Sequence, residues 1–122
     1  MGNNSHQSAW IKISWTVTSD ARDKSIIGSV PLGLEFVNKL KPKQFQFLTG
    51  NRGEEKRKPD GIDRYGFLAQ DILELEGEKP IIANNKDSEK LAITESYLIP
   101  VLVNAIQELT ERVRMLEDKL MM

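Results

Sequence analysis

Any chemistry in this chain of 122 residues has to proceed without cysteine, and histidine is present only once. The missing cysteines remove disulfides, thiolate nucleophiles and thiolate metal ligands together, and say nothing about redox compartment. His6 stands in the polar leader MGNNSHQSAW. A working site needs several convergent groups, so one His makes neither a metal site nor a His-based triad, and a solvated side chain is expected. No phosphate-binding glycine loop of the P-loop type and no metal-ligand cluster occurs, so neither metal nor cofactor is expected. A nucleotide or ion acting on assembly without such a motif stays open. The run Ser19-Asp20-Ala21-Arg22-Asp23-Lys24 gathers a hydroxyl, two carboxylates, a guanidinium and an amine. Taken alone, it reads as a capped turn, with Ser19 or Asp20 accepting backbone N–H bonds and Lys24 in solvent.

The rest of the chain must position such groups, and its length suits one domain with a modest core. Hydrophobic residues make up 39% and charged residues 29%, the balance of an ordinary soluble protein. Lys and Arg total 17 against 18 Asp and Glu. Nucleic-acid binding rests on an excess of cations facing phosphates, so no nucleic-acid partner is expected. No apolar run approaches the roughly 20 residues that span a bilayer, and no membrane partner is expected. The leader has no positive stretch followed by an apolar one, so it is not read as a secretory signal.

Along the chain, WIKISWTVT (10–18) alternates, with Ile11, Ile13, Trp15 and Val17 on one side, which predicts a half-buried strand. Leu34, Phe36, Val37 and Leu40 form one face of a short helix led in by Pro31 and stopped by Pro42. QFQFL (44–48) alternates again and predicts a strand. The charged, glycine-bearing run 49–64 contains Pro-Asp-Gly and predicts a solvated loop or hairpin tip. YGFLAQDILEL (65–75) spaces Phe67, Leu68, Ile72 and Leu73 as a helix does. PIIANN (80–85) and KLAIT (90–94) are short strands about a turn-rich linker.

The C-terminal segment is the plainest. Apolar residues recur at Ile99, Leu102, Ile106, Leu109, Val113, Leu116 and Leu120, alternately three and four apart. This is a heptad seam with Ile99, Ile106, Val113 and Leu120 at a and Leu102, Leu109 and Leu116 at d. Arg112 falls at g and Glu117 at the following e, a pair able to bridge parallel neighbours. Pro100 must lie near the helix start. A helix packed on its own domain shows a broader apolar stripe, so this one is read as pairing with copies of itself. Ile or Val at a with Leu at d favours two strands in isolated peptides.

Three collinear blocks carry a family resemblance. SDARDKSII (19–27), with Trp15 upstream, matches a Ser-Asp-x-Arg-x-Lys-x-x-Ile pattern through Ser19, Asp20, Arg22, Lys24 and Ile27. RYGFLAQDI (64–72) and the ending YLIPVLVNAIQELTERVRMLE follow in order. Together they resemble the endosialidase-type intramolecular chaperone domain found at the C-termini of phage tail spikes, tail fibres and neck appendages. The resemblance implies an α+β fold, a small globular domain of short strands and helices followed by a long coiled-coil helix, assembled as a homotrimer. It divides the chain into the end of a parent fibre (1–18), a globular chaperone and auto-processing domain (19–98) and the coiled-coil helix (99–122). The partner it implies is the upstream β-rich fibre of the same polypeptide. The setting it implies is the host cytoplasm during phage assembly, with the parent protein in the virion tail.

The same resemblance implies self-cleavage at Thr18–Ser19, with Ser19 as nucleophile and Lys24 as base, in a single turnover. Serine needs a base beside it, and Ser-Lys pairs serve elsewhere. Intramolecular attack gains from tethering. An unperturbed lysine stays charged up to about pH 10.4, so a lysine base needs burial, which disfavours the ammonium form. Burial supplied by trimer assembly would couple cutting to folding. Asp23 stands where the family commonly has an apolar residue. A carboxylate there favours a charged amine. Asp20 and Arg22 are expected to fix the turn or a subunit contact. Gln70, among apolar neighbours, is expected either to hydrogen-bond near the cut or to serve helix packing. Two other readings stand beside this one: a trimerisation cap that never cuts, and a coiled-coil adaptor that binds a partner helix through 99–120.

Overall fold

The computed structural model describes residues 9–121; His6 lies outside them. The elements give an α+β arrangement of short pieces with one long helix at the C-terminal end. Helix α1 spans Leu34–Asn38, strand β1 Lys43–Phe45, strand β2 Arg64–Gly66, helix α2 Ala69–Glu76, strand β3 Ala83–Asn84, strand β4 Ala92–Ile93 and helix α3 Leu98–Leu120. Two 3₁₀ turns, Ala21–Asp23 and Glu95–Tyr97, stand before the first helix and before α3.

Strands β1 and β2 are antiparallel, with Lys43 opposite Gly66 and Phe45 opposite Arg64. Pairing resumes further out. The Thr49 N–H donates to the Lys58 carbonyl at 2.7 Å and the Asp60 N–H to the Phe47 carbonyl at 2.8 Å. Residues 43–66 are therefore one hairpin, its charged tip in solvent. At its waist Arg64 lies 4.7 Å over the Phe47 ring and 3.0 Å from Asp60. The Ile62 N–H, and after it Arg64, hold the Asp60 carboxyl below the usual carboxylate range, against the opposing effect of desolvation. Strands β3 and β4 form a second antiparallel pair, Ala83 opposite Ile93.

One cluster joins the elements. Phe36 of α1, Ile72 of α2, Ile82 and Ala83 at β3, and Leu98 and Val101 of α3 are all buried. Ile72, only 1% exposed, is at its centre. Burying one such aliphatic side chain contributes about 1.5–3 kcal/mol. The end of α2 is tied to β3 by a carboxylate. Glu76 accepts from the backbone N–H groups of Ile81 at 2.8 Å, Ile82 at 2.9 Å and Ala83 at 2.7 Å. Gly77, at φ 83°, ends α2 in a conformation that side chains resist.

Helix α3 carries two stripes. Leu98, Val101 and Ala105 face the core and are buried. The heptad seam lies on another side and is exposed from Ile99 to Leu120, by between 41 and 86%. From Ile106 onward every described residue of the helix is exposed. Among the described residues nothing covers the seam.

Two local expectations need correction. Residues 10–18 form no strand. A strand exists by pairing, and no other segment among the described residues pairs with this one; Ile13, Trp15 and Val17 stand in solvent. The helix expected over 65–75 begins only at Ala69, because Arg64–Gly66 is taken up by the ladder to β1.

Candidate functional site

The residues singled out at 18–24 lie on an arm that leaves the core at Leu32. Asn104 of α3 fixes the departure, its side-chain amide donating to the Leu32 carbonyl at 2.9 Å and the Val30 carbonyl at 3.2 Å. Gly33 then passes α3 so closely that a Cβ there would collide with the Glu108 carboxylate. Every residue from Ala9 to Pro31 is exposed.

Within the arm the local chemistry folds a tight turn. Asp20 is extended (φ −73°, ψ 129°) and caps the 3₁₀ turn, its carboxylate accepting from the Arg22 N–H at 2.9 Å. The same carboxylate takes the Arg22 guanidinium side-on, Nε at 3.1 Å and Nη2 at 2.7 Å. Two-point pairing of this kind fixes orientation as well as distance. The backbone closes the turn with Asp23 N–H to the Asp20 carbonyl and Lys24 N–H to the Ala21 carbonyl. Pairing with the Arg22 side chain first, and its N–H second, lowers the Asp20 carboxyl below its ordinary range and raises the guanidinium of Arg22.

That turn reverses the chain so that the Lys24 side chain folds back over it. Its Nζ donates to the Ser19 Oγ at 2.7 Å. Hydroxyl and amine are thus in direct contact, and the hydroxyl follows the Thr18 carbonyl in the covalent chain. Asp23 forms no ion pair with Lys24, and neither does Asp20, whose partner is Arg22. The lysine is left to the serine.

Gln70 does not join them. It is exposed on the first turn of α2, and no hydrogen bond among the described residues links it to Ser19 or Lys24. It borders instead an open cleft of ≈ 540 Å³ lined by Phe45, Phe47, Phe67 and Ile93. Ile72 turns inward and leaves Gln70, two residues earlier, on the outside of the helix, so in the single chain it makes no hydrogen bond near the proposed cut. Among the described residues no three His, Cys, Asp or Glu converge as a metal site, and no helix is long and apolar enough to cross a membrane.

Residues 19–78 match the model of a peptidase family described as the chaperone of endosialidase. The chain carries an endosialidase-type chaperone domain. The match opens on Ser19 itself and takes in the first two motif blocks, 19–27 and 64–72. It stops before β3, so the C-terminal helix lies beyond it. No curated protein and no solved structure matches the chain. An intramolecular chaperone role comes with the family, and the turn just described is the chaperone domain's N-terminal edge. Sequence reasoning missed Asn104, which roots the arm that carries the turn, and Glu76, which joins α2 to β3 in the core. Asn104 lies between Val101 and Ala105 on the core stripe of α3, and a polar residue in that place is the signal that could have found it.

Proposed function

We propose that this chaperone drives trimerisation and folding of a phage tail appendage or fibre and then releases itself by cutting Thr18–Ser19. The Ser19–Lys24 contact of 2.7 Å, at the residue where the family match begins, carries the reading. Ser19 Oγ attacks the Thr18 carbonyl carbon and its proton passes to an uncharged Lys24 Nζ. The C–N bond breaks as the amide nitrogen takes up a proton, leaving an ester between Thr18 and Ser19. Water hydrolyses the ester to a Thr18 carboxylate and a chain beginning at Ser19. Backbone N–H groups are the generic donors to the oxyanion.

In a single chain the pair is exposed, and it is burial that disfavours the charged form of an amine. Assembly supplies the missing burial. Support for assembly comes from the bare seam of α3 and from the exposed Trp10, Ile13, Trp15, Val17, Ile26 and Ile27 of the arm. These are apolar groups that no other described residue covers. Three copies, wound through 99–120 and sharing the base of the upstream β-rich fibre, give both stripes a place. The setting is the host cytoplasm during virion assembly.

The intact mass of the assembled protein tests the reading. Wild type should yield a product of residues 19–122. Ser19→Ala should stay whole, and Lys24→Ala should cut about 10²–10⁴-fold more slowly, the usual worth of a general base. Cutting by Ser19→Ala, or at the wild-type rate by Lys24→Ala, contradicts it. The openness of the pair favours a second reading, a trimerisation cap that stays attached. Full-length mass in every assembled preparation would support that reading instead.

A further inference from the structure

Two carboxylates flank Lys24 in sequence, and the turn deals with them differently. Asp23 makes no ion pair, whereas Asp20 is held at two points by Arg22 and at a third by the Arg22 N–H. Asp20 caps the turn that Lys24 closes, and the Lys24 side chain returns to Ser19, the residue next to Asp20. The Lys24 side chain passes over this turn to reach Ser19, so an Asp20 carboxylate released from Arg22 would compete with the hydroxyl for the amine. We propose that Arg22 is a positioning residue for the cut, acting through Asp20: it keeps that carboxylate off Lys24 and so leaves the amine on the Ser19 hydroxyl. The inference rests on the Ser19–Lys24 reading above and adds to it the reason an arginine is needed two residues before the lysine.

Magnitudes decide where this matters. An exposed Asp–Lys pair is worth about 0.2–1 kcal/mol, a factor of roughly two to five. Inside an assembled, water-poor site an adjacent opposite charge shifts protonation by about one to three pH units, or tenfold and more in the uncharged fraction. The effect of Arg22 belongs to the assembled protein.

Cutting is to be followed by intact mass, as a function of pH, in wild type, Arg22→Ala, Asp20→Asn and the double variant. Residues 19–24 are exposed throughout, so the charged groups flanking the amine are Asp20, Arg22 and Asp23. Arg22→Ala should cut about tenfold or more slowly near neutral pH and recover as pH rises. Adding Asp20→Asn should restore most of the rate, because Asn keeps the capping oxygen and lacks the charge. A mere brace predicts the reverse, with the double variant as slow as Arg22→Ala. That result, or a wild-type rate in Arg22→Ala, overturns the proposal. A parallel readout does not depend on cutting. Acylation of Lys24 by a limiting amine reagent should fall in Arg22→Ala and recover in the double variant, and unchanged labelling overturns the proposal. Wild type that assembles and never cuts contradicts self-cleavage, while the labelling still decides the role of Arg22. The arm contributes nothing to the core, so all three variants keep the fold.

Discussion

Six consecutive residues, 19–24, account for the geometry at the proposed cut. Asp20 caps, Arg22 clasps, the backbone turns, and Lys24 returns to Ser19. Because Arg22 lowers the Asp20 carboxyl, the clasp's contribution is present above the ordinary carboxylate range and is lost only as pH falls through the lowered value. The turn should therefore survive mild acid. Side-chain NMR titration should find Asp20 protonating below an unpaired aspartate, with Arg22→Ala moving it upward. An unshifted Asp20 in the intact chain would contradict the clasp. The motif made these residues legible in the sequence, since all lie within one turn and need no tertiary contact to meet. Gln70 was not legible in the same way. Whether an amide lies inside or outside a helix depends on which face the core takes, and Ile72 took it.

At the scale of elements, stability is held by α2, β3 and the first turns of α3. Glu76 binds three N–H groups, two of them on the buried residues Ile82 and Ala83. Glu76→Ala strips their acceptor and should destabilise the fold by about 2–3 kcal/mol, read from urea unfolding. A midpoint unchanged at constant slope would contradict the role given to this carboxylate. Asn104→Ala should cost about 1–2 kcal/mol and free the arm at its root, visible as lower NMR order parameters at Val30, Leu32 and Gly33. Helices α1, α2 and α3 and the β3–β4 pair were legible because local periodicity and turn residues agree there with the tertiary result. Strand β2 was not, since Arg-Tyr-Gly has no pattern of its own and becomes a strand by pairing with β1. The leader shows the converse: alternation at 10–18 records what the segment would do beside a partner, and the single chain offers none.

For the whole molecule, two exposed apolar surfaces among the described residues, the arm and the α3 seam, support the proposed assembly. Leu109→Glu should dissociate the assembly in sedimentation while leaving the core folded, because Leu109 is on the seam and half exposed in the single chain. If burial by neighbours is what frees the lysine of its proton, the same variant should also stop cutting. A dissociated Leu109→Glu that cuts at the wild-type rate would separate chemistry from assembly. Arg112 and Glu117 form no ion pairs among the described residues. The most direct measurement is the mass of the wild-type chain taken from its assembled state. A polypeptide whose first residue is Ser19 is the predicted result; a chain still joined across Thr18–Ser19 in every assembled sample would contradict it.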